Sequence, residues 1–395
     1  MSFFKDRNCY MKDYNLSLID KIRGFNYLYL FLISLIVFIG IGVLYSVGSS
    51  PSVGSTSSDP WKWASKQSIR FIISLWILLV IAMTNLRLWM KYAYWLYGAG
   101  LLLLIGVELL GHIHMGAQRW LSFGLFQLQP SEVMKIALVL ALAKYFHGAS
   151  LEQIRSVKFM IPPVLMMGIP VLLILKQPDL GTAMMLVFMS FGVFFLVGVQ
   201  VWKFIALALV GIGSFPIIWS LLIPYQKKRV LTFLNPENDP LGAGYHISQS
   251  KITLGSGGFW GKGFMQGTQK RLKFIPEDHT DFIFTVFAEE FGLFGSLILF
   301  LLYTLVIGYG FLISARCQNS FGKIVAAGLT INFALYLFIN SGMVMGLMPV
   351  VGVPLPLMSY GGTAMITLFI SFGLMECVDI NREMVIGRLG SIDDE

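Results

Sequence analysis

Apolar residues run through this chain in long unbroken blocks, and polar residues gather between them. Ten blocks stand out, near 25–45, 67–84, 92–111, 131–147, 159–175, 181–199, 202–223, 282–313, 323–346 and 355–379. An α-helix needs about 20 apolar residues to cross a bilayer. The period-two alternation of a membrane barrel is absent. The pattern predicts an all-α polytopic membrane protein, a bundle of ten transmembrane helices over 25–380. It also predicts an N-terminal segment, 1–24, a tail, 381–395, and one large loop, 224–281, between the seventh and eighth helices. The eighth block is too long for one straight crossing, so its first turns are expected outside the hydrocarbon.

Composition sharpens this picture. Of 395 residues, 56% are hydrophobic and 13% charged, against roughly 25% charged in soluble domains. The net charge of +8 does not call for a nucleic-acid partner, because the basic residues flank the apolar blocks as they do on the cytoplasmic side of membrane helices. Lys5, Arg7, Lys12, Lys21 and Arg23 lead into the first block. That block exceeds a cleavable leader's apolar core, so it reads as a retained anchor. Arg87, Lys91, Lys144, Arg155, Lys158, Lys203, Arg316, Lys323, Arg382 and Arg388 then fall on the same side, which places both termini in the cytoplasm. Cys9, Cys317 and Cys377 fall there too, where thiols stay reduced. Their spacing suits neither a disulfide framework nor a metal site.

The loop 224–281 departs from the charge rule. It is expected outside, yet it carries Lys227, Lys228, Arg229, Lys251, Lys262, Lys270, Arg271 and Lys273. A loop this long translocates despite its charge. Its basic character suits a lid that attracts a phosphate-bearing substrate. Residues 244–254 read as a short amphipathic helix lying on the membrane. The glycines of 254–263 do not make a nucleotide loop, since no strand precedes them and no nucleotide-binding helix follows.

Polar residues with chemical potential collect on the predicted outer side. Asp281 closes the stretch Arg271-Leu-Lys273-Phe-Ile-Pro-Glu-Asp278-His279-Thr-Asp281, just where an apolar helix begins. A carboxylate kept at the mouth of a membrane helix is costly and marks a functional position. Arg119 and Trp120 lie in Gly-Ala-Gln-Arg-Trp-Leu. Arginine grips phosphate through paired hydrogen bonds, whereas Trp120 also suits an ordinary interfacial aromatic. Glu132 and Lys135, three apart, share a helix face and read equally as a structural ion pair or as the lining of a polar cavity. Lys176 and Asp179 flank a tight turn. Asp179 suits a helix N-cap as well as a ligand for a metal or sugar hydroxyl. Ser359 and Tyr360, candidate ligand contacts, sit in Pro354-Leu-Pro-Leu-Met-Ser-Tyr-Gly-Gly-Thr363, a broken start to the last helix that must be buried or line a cavity. His112 and His114 alone do not complete a metal site. Glu108 lacks an evident partner, and one of Glu289 and Glu290 is expected to face the bundle.

These motifs, Gly-Ala-Gln-Arg-Trp-Leu, Gln-Pro-Ser-Glu, Lys-Gln-Pro-Asp-Leu-Gly-Thr, Pro-Glu-Asp-His-Thr-Asp-Phe-Ile-Phe and Pro-Leu-Met-Ser-Tyr-Gly-Gly-Thr, resemble the SEDS family of shape, elongation, division and sporulation proteins. They occur in the family's order across residues 20–385, and Val351-Gly-Val-Pro-Leu-Pro356 is closer to its elongation branch than to its division branch. The resemblance implies a peptidoglycan glycosyltransferase of the bacterial inner membrane that polymerises lipid II at its outer face. It implies a class B penicillin-binding protein and other elongation-machinery membrane proteins as partners. It carries the catalytic role to Asp281 and places Arg119, Trp120, Glu132, Lys135 and Asp179 along the active cavity. Lys176, Lys273 and His279 join them as candidate substrate contacts, with a divalent cation, Mg or Mn, as a candidate cofactor. Asp278 stands where the family's motif often has Arg or Ala, which adds negative charge beside the site. A lipid II flippase is the rival reading, since ten helices, a polar cavity and broken helices suit one. A non-catalytic scaffold is the third, and it leaves Asp281 and the basic loop unexplained.

Overall fold

A computed structural model describes residues 17–49, 59–114, 117–122, 127–214, 216, 219–220, 224–235, 242–267, 279–384 and 386. Lys273, Asp278, Cys9 and the basic residues 270–271 lie outside them. The described helices are α1 Leu18–Arg23, α2 Tyr27–Gly48, α3 Trp61–Ala82, α4 Leu86–Leu110, α5 Pro130–Phe146, α6 Leu151–Arg155, α7 Val157–Lys176, α8 Leu180–Val197, α9 Val201–Gly213, α10 Pro224–Leu234, α11 Ala243–Ser256, α12 Ile283–Arg316, α13 Ser320–Val344 and α14 Gly362–Ile380. Eight of these, α2, α3, α4, α7, α8, α12, α13 and α14, are long and apolar enough to span a membrane. Two of the ten expected spans fall elsewhere: 131–147 coincides with α5, and 202–223 begins with α9, which ends at Gly213.

α5 is the axis of the bundle. It packs against α4, α7, α8, α13 and α14, and nearly every side chain along it is buried. A helix apolar all round has no wet face to offer, so it belongs at the centre. α3 and α14 cross closely through Gly373. A Cβ there would stand 2.9 Å from the Leu78 carbonyl oxygen, and such small residues let membrane helices approach. α9 lies at the other extreme, with no buried side chain.

α7 carries Pro162, Pro163 and Pro170 inside the helix. Each proline removes a donor to the carbonyl four residues earlier. Pro163 thus frees the Phe159 carbonyl, which accepts from the Tyr145 hydroxyl at 2.8 Å. Pro170 frees the Met166 carbonyl, which accepts from the Tyr97 hydroxyl at 2.9 Å. Neighbouring helices replace the lost bonds, which is what lets a proline-rich helix persist in lipid.

Three departures from the sequence expectation matter for the site. Residues around Arg119 are not a bare loop but a small antiparallel sheet, β1 His112–His114, β2 Ala117–Ser122 and β3 Gln127–Leu128, in the order β1-β2-β3. The short helix expected at 244–254 forms as α11, yet it packs on α12 and α13. There the Ser250 hydroxyl donates to the Val344 carbonyl at 2.8 Å and lies 3.1 Å from the Thr285 hydroxyl. Finally, α12 is broken at Gly292, whose φ of 68° and ψ of −164° interrupt the helix. Lys262 and Gly263 donate backbone N–H groups to the Glu289 and Glu290 carbonyls, both at 3.0 Å. On the far side, Leu293 and Phe294 donate to the Gly258 and Phe259 carbonyls at 2.9 and 3.0 Å. The loop 257–263 therefore splints the break, and the first half of α12 becomes a separate short helix leading from Asp281.

Candidate active site

The ends of the elements bring the polar residues together. α4 ends and α5 begins beside the sheet, α7 ends and α8 begins at Asp179, α13 ends before Gly352, and α12 and α14 both begin after broken segments. With helices alternating in direction, all these points lie at one end of the bundle.

Gly352 is at the centre of this end. Its φ of 73° is left-handed, and a Cβ built on it would stand 3.5 Å from Oδ2 of Asp281 and 4.0 Å from Nη1 of Arg119. A carboxylate and a guanidinium therefore flank one open position. Asp281 is half-buried. Its carbonyl accepts at 2.8 Å from Nδ2 of Asn340, which also donates to the Val353 carbonyl at 2.7 Å. Asn340 thus ties the Asp281 backbone to the segment that carries Gly352.

Arg119 is fixed from the other side. Its Nη2 donates to the Pro178 carbonyl at 3.0 Å, and its Nε lies 3.5 Å from Oδ2 of Asp179. Asp179 caps α8, accepting from the Thr182 N–H at 3.3 Å and the Thr182 hydroxyl at 2.9 Å. The cap reading holds for Asp179, whose remaining charged contact is Arg119. Trp120 is half-buried in β2, next to Arg119 and so on the opposite strand face.

Glu132 and Lys135 do share a face. The Lys135 ammonium donates to Oε1 of Glu132 at 2.7 Å and also to the Tyr336 hydroxyl, which in turn donates to Oε2 of Glu132. The Thr367 hydroxyl adds a longer bond to that oxygen at 3.4 Å. Lys135 is 1% exposed, and the charge of Asp179 acts on it. The group is a closed polar knot directly beneath the site. Lys176 pairs with Glu108 at 3.5 Å on an exposed face, which supplies the partner that Glu108 needed.

The broken start of α14 completes the wall. The Ser359 hydroxyl donates to the Thr280 carbonyl at 2.6 Å and accepts from the Leu355 N–H at 2.8 Å. The Tyr360 N–H donates to the His279 carbonyl at 2.9 Å. Leu357 holds a left-handed φ of 67°, and the adjoining Pro356 carbonyl accepts from the Tyr303 hydroxyl at 2.5 Å. The His279 ring stacks on Trp63 with centroids 4.2 Å apart, and Tyr360 meets Trp63 edge-on at 4.7 Å. Sequence reasoning missed Tyr336, Asn340, Trp63 and Arg70. The available signal was a polar side chain inside an apolar block, which in a membrane helix usually faces the bundle.

Among the described residues no group of three His, Cys, Asp or Glu side chains is placed to hold a metal ion. Magnesium commonly takes one or two protein carboxylates and completes its shell with substrate phosphates and water. The Asp179 oxygens are engaged by Thr182 and Arg119, which leaves Asp281 as the carboxylate that could serve such an ion.

The family model for the cell cycle proteins FtsW, RodA and SpoVE matches residues 26–384. The chain belongs to this family. It is 46% identical over 315 residues to peptidoglycan glycosyltransferase MrdB of Escherichia coli K12, covering 79% of this chain and 84% of that protein. The fold also matches solved members. One, solved as a peptidoglycan synthase complex that coordinates polymerization and crosslinking, superposes with a TM-score of 0.76 at 31% identity, over 91% of this chain and 98% of that one. The rod shape determining protein RodA of Thermus thermophilus superposes with a TM-score of 0.67 at 29% identity, over 91% and 98% of the two chains. The family's fold is therefore the all-α membrane bundle described above, and Asp281, Arg119 and Asp179 occupy its polar end.

Proposed function

We propose that this protein polymerises lipid II into glycan strands at the outer face of the bacterial inner membrane, during elongation and maintenance of cell shape. The observation that carries the reading is the open position at Gly352, flanked by the Asp281 carboxylate and the Arg119 guanidinium. Its kinship to MrdB supports the same activity.

The substrate brings its own leaving group, a diphosphate on a polyprenyl chain. Asp281 takes the proton from the acceptor sugar hydroxyl as the glycosidic bond forms. Arg119, held rigid by Asp179 and the Pro178 carbonyl, stabilises charge on the departing diphosphate. Direct displacement on an α-linked donor inverts the anomeric carbon and yields a β-linked strand without a covalent intermediate. Lys273 and the rest of the basic loop add attraction for the anionic substrate. A divalent ion, if bound with the diphosphate, would be held by Asp281 and would add positive charge there. Both termini lie in the cytoplasm in this reading. The partner is a class B penicillin-binding protein that crosslinks the strands, with other membrane proteins of the elongation machinery beside it.

The test is polymerisation of purified lipid II by the full-length protein, with and without that partner and a divalent ion. Wild type is expected to make polymer, and Asp281→Asn to lose at least about 100-fold in rate while folding normally. Equal rates for the two would remove Asp281 from the chemistry.

A further inference from the structure

Arg70 is an arginine inside a membrane-spanning helix that has no ion-pair partner among the described residues. It lies in α3, nine residues after Trp61. Its neighbours Ile69, Ile72 and Ile73 are exposed on the lipid-facing side, whereas Gln67, one turn before, is buried. Arg70 thus stands at the border between the lipid face and the bundle. A charge at such depth costs several kcal/mol unless something compensates it, and four other cations near this end have carboxylate partners. Arg119 has Asp179, Lys135 has Glu132, Lys176 has Glu108, and Lys262 has Glu289.

The Arg70 guanidinium lies over the Tyr360 ring, its central carbon 4.2 Å from the centroid. Stacking of this kind repays part of the desolvation, and it leaves the edge of the guanidinium for hydrogen bonds. Nη1 is buried and has no hydrogen-bond acceptor among the described residues. Gly362 lies against the same group: a Cβ there would stand 3.4 Å from Nε and 3.5 Å from the central carbon. Any side chain at 362 would crowd the guanidinium. The aromatic chain then leads to the candidate active site, because Tyr360 lies 5.9 Å from the His279 ring, two residues before Asp281.

We propose that Arg70 binds a lipid phosphate at the lipid-facing border where α3 meets the start of α14. The ligand chemistry is a phosphate ester carried on a membrane-embedded chain. Arginine suits it because its planar fork pairs with two phosphate oxygens. Two sources share that chemistry: the diphosphate of the polyprenyl-linked substrate, in which case this inference rests on the transferase reading, and the phosphodiester of a bilayer phospholipid. The substrate is the favoured source, because the stack connects the guanidinium to the His279–Asp281 segment.

The test separates binding from turnover. Full-length protein carrying Asp281→Asn is mixed in detergent with radiolabelled polyprenyl pyrophosphate or radiolabelled phosphatidylglycerol, and retained lipid is counted. Arg70→Met, which keeps the stacked stem, is expected to lower retention of polyprenyl pyrophosphate about tenfold. That is the loss of a charge-assisted bond. Arg70→Lys is expected to recover part of it through charge alone. With Asp281 intact, Arg70→Met should raise KM for lipid II by a similar factor and leave kcat within twofold, a split that loosened packing would not give. A fall confined to phosphatidylglycerol, with KM unchanged, would keep the lipid-phosphate site and assign it to a phospholipid. Unchanged retention of both lipids in Arg70→Met overturns the proposal. Protein that never polymerises but still loses retention with Arg70→Met would refute the transferase reading and leave the site standing.

Discussion

Asn340 lies in α13, and a single Nδ2 serves two carbonyls, those of Asp281 and Val353. It is fully buried. Replacing it with Leu would leave both carbonyls without that donor in a dry setting, at a cost of about 2 to 4 kcal/mol. The Asp281 backbone and the Gly352 segment would also lose their common tie. Asn340→Leu is therefore expected to lower the thermal midpoint in detergent and to slow polymerisation at least tenfold, with the pH profile of the remaining activity unchanged because the base is still present. A full rate with a lowered midpoint would confine Asn340 to stability. At this scale the sequence was legible where spacing was local. Glu132 and Lys135 are three apart and do pair, and Asp179 precedes a helix and does cap it. Tyr336 and Asn340 were not legible, because each acts on a partner from a distant element and nothing in its own neighbourhood names that partner. The two readings of Ser359 also separate only in three dimensions. Its hydroxyl is occupied by the Thr280 carbonyl and the Leu355 N–H, so it shapes the wall more than it offers a hand to substrate.

The break in α12 shows what block length alone conveys. The eighth apolar block was too long for one crossing, and the structure divides it at Gly292. The block does not say what mends the break. Loop 257–263 does so with backbone bonds on both sides, and the Lys262 ammonium adds an ion pair at 2.6 Å to Glu289, which is 0% exposed. Glu290 is buried too and accepts from the Ser46 hydroxyl of α2, so both acids of this pair face inward. Lys262→Met would strip a buried carboxylate of its cation, a change that costs roughly 3 to 5 kcal/mol. Gly261→Ala should be as harmful through backbone alone. Its φ is 81°, and a Cβ would fall 2.2 Å from the Glu290 carbonyl oxygen. Both variants are expected to lower the unfolding midpoint, and Lys262→Met paired with Glu289→Gln should recover part of the loss. No recovery in the double variant would mean that the pair is not what holds the splint. The small sheet around Arg119 was missed for a plain reason. Its strands are two to six residues long, too short for alternation to register against the turns between them.

At the scale of the whole molecule, the arrangement of charge separates a transferase from a flippase. The end that carries Asp281 also carries Arg70, together with the pairs Arg119–Asp179, Lys176–Glu108 and Lys262–Glu289, so charged groups gather on this side. Below it lies the Glu132–Lys135–Tyr336 knot, whose bonds are satisfied among its own members. The helices beyond the knot meet through apolar side chains such as Leu138, Leu142, Val193, Leu329 and Phe372. At the opposite end the buried charges are mainly acidic: Glu376 accepts from the Asn26 N–H, and Asp379 lies beside it near Arg382. A diphosphate crossing the bundle would have to leave this polar end and pass an apolar middle. Each stage is unfavourable, whereas a transporter sets its polar site near the midplane and opens it to both sides. The protein reconstituted in vesicles is therefore expected not to move fluorescent lipid II between leaflets. It should polymerise only the substrate held in the leaflet facing Asp281. Translocation that disappears in Lys135→Met, without polymer formation in wild type, would reverse that assignment and make the knot a transport gate.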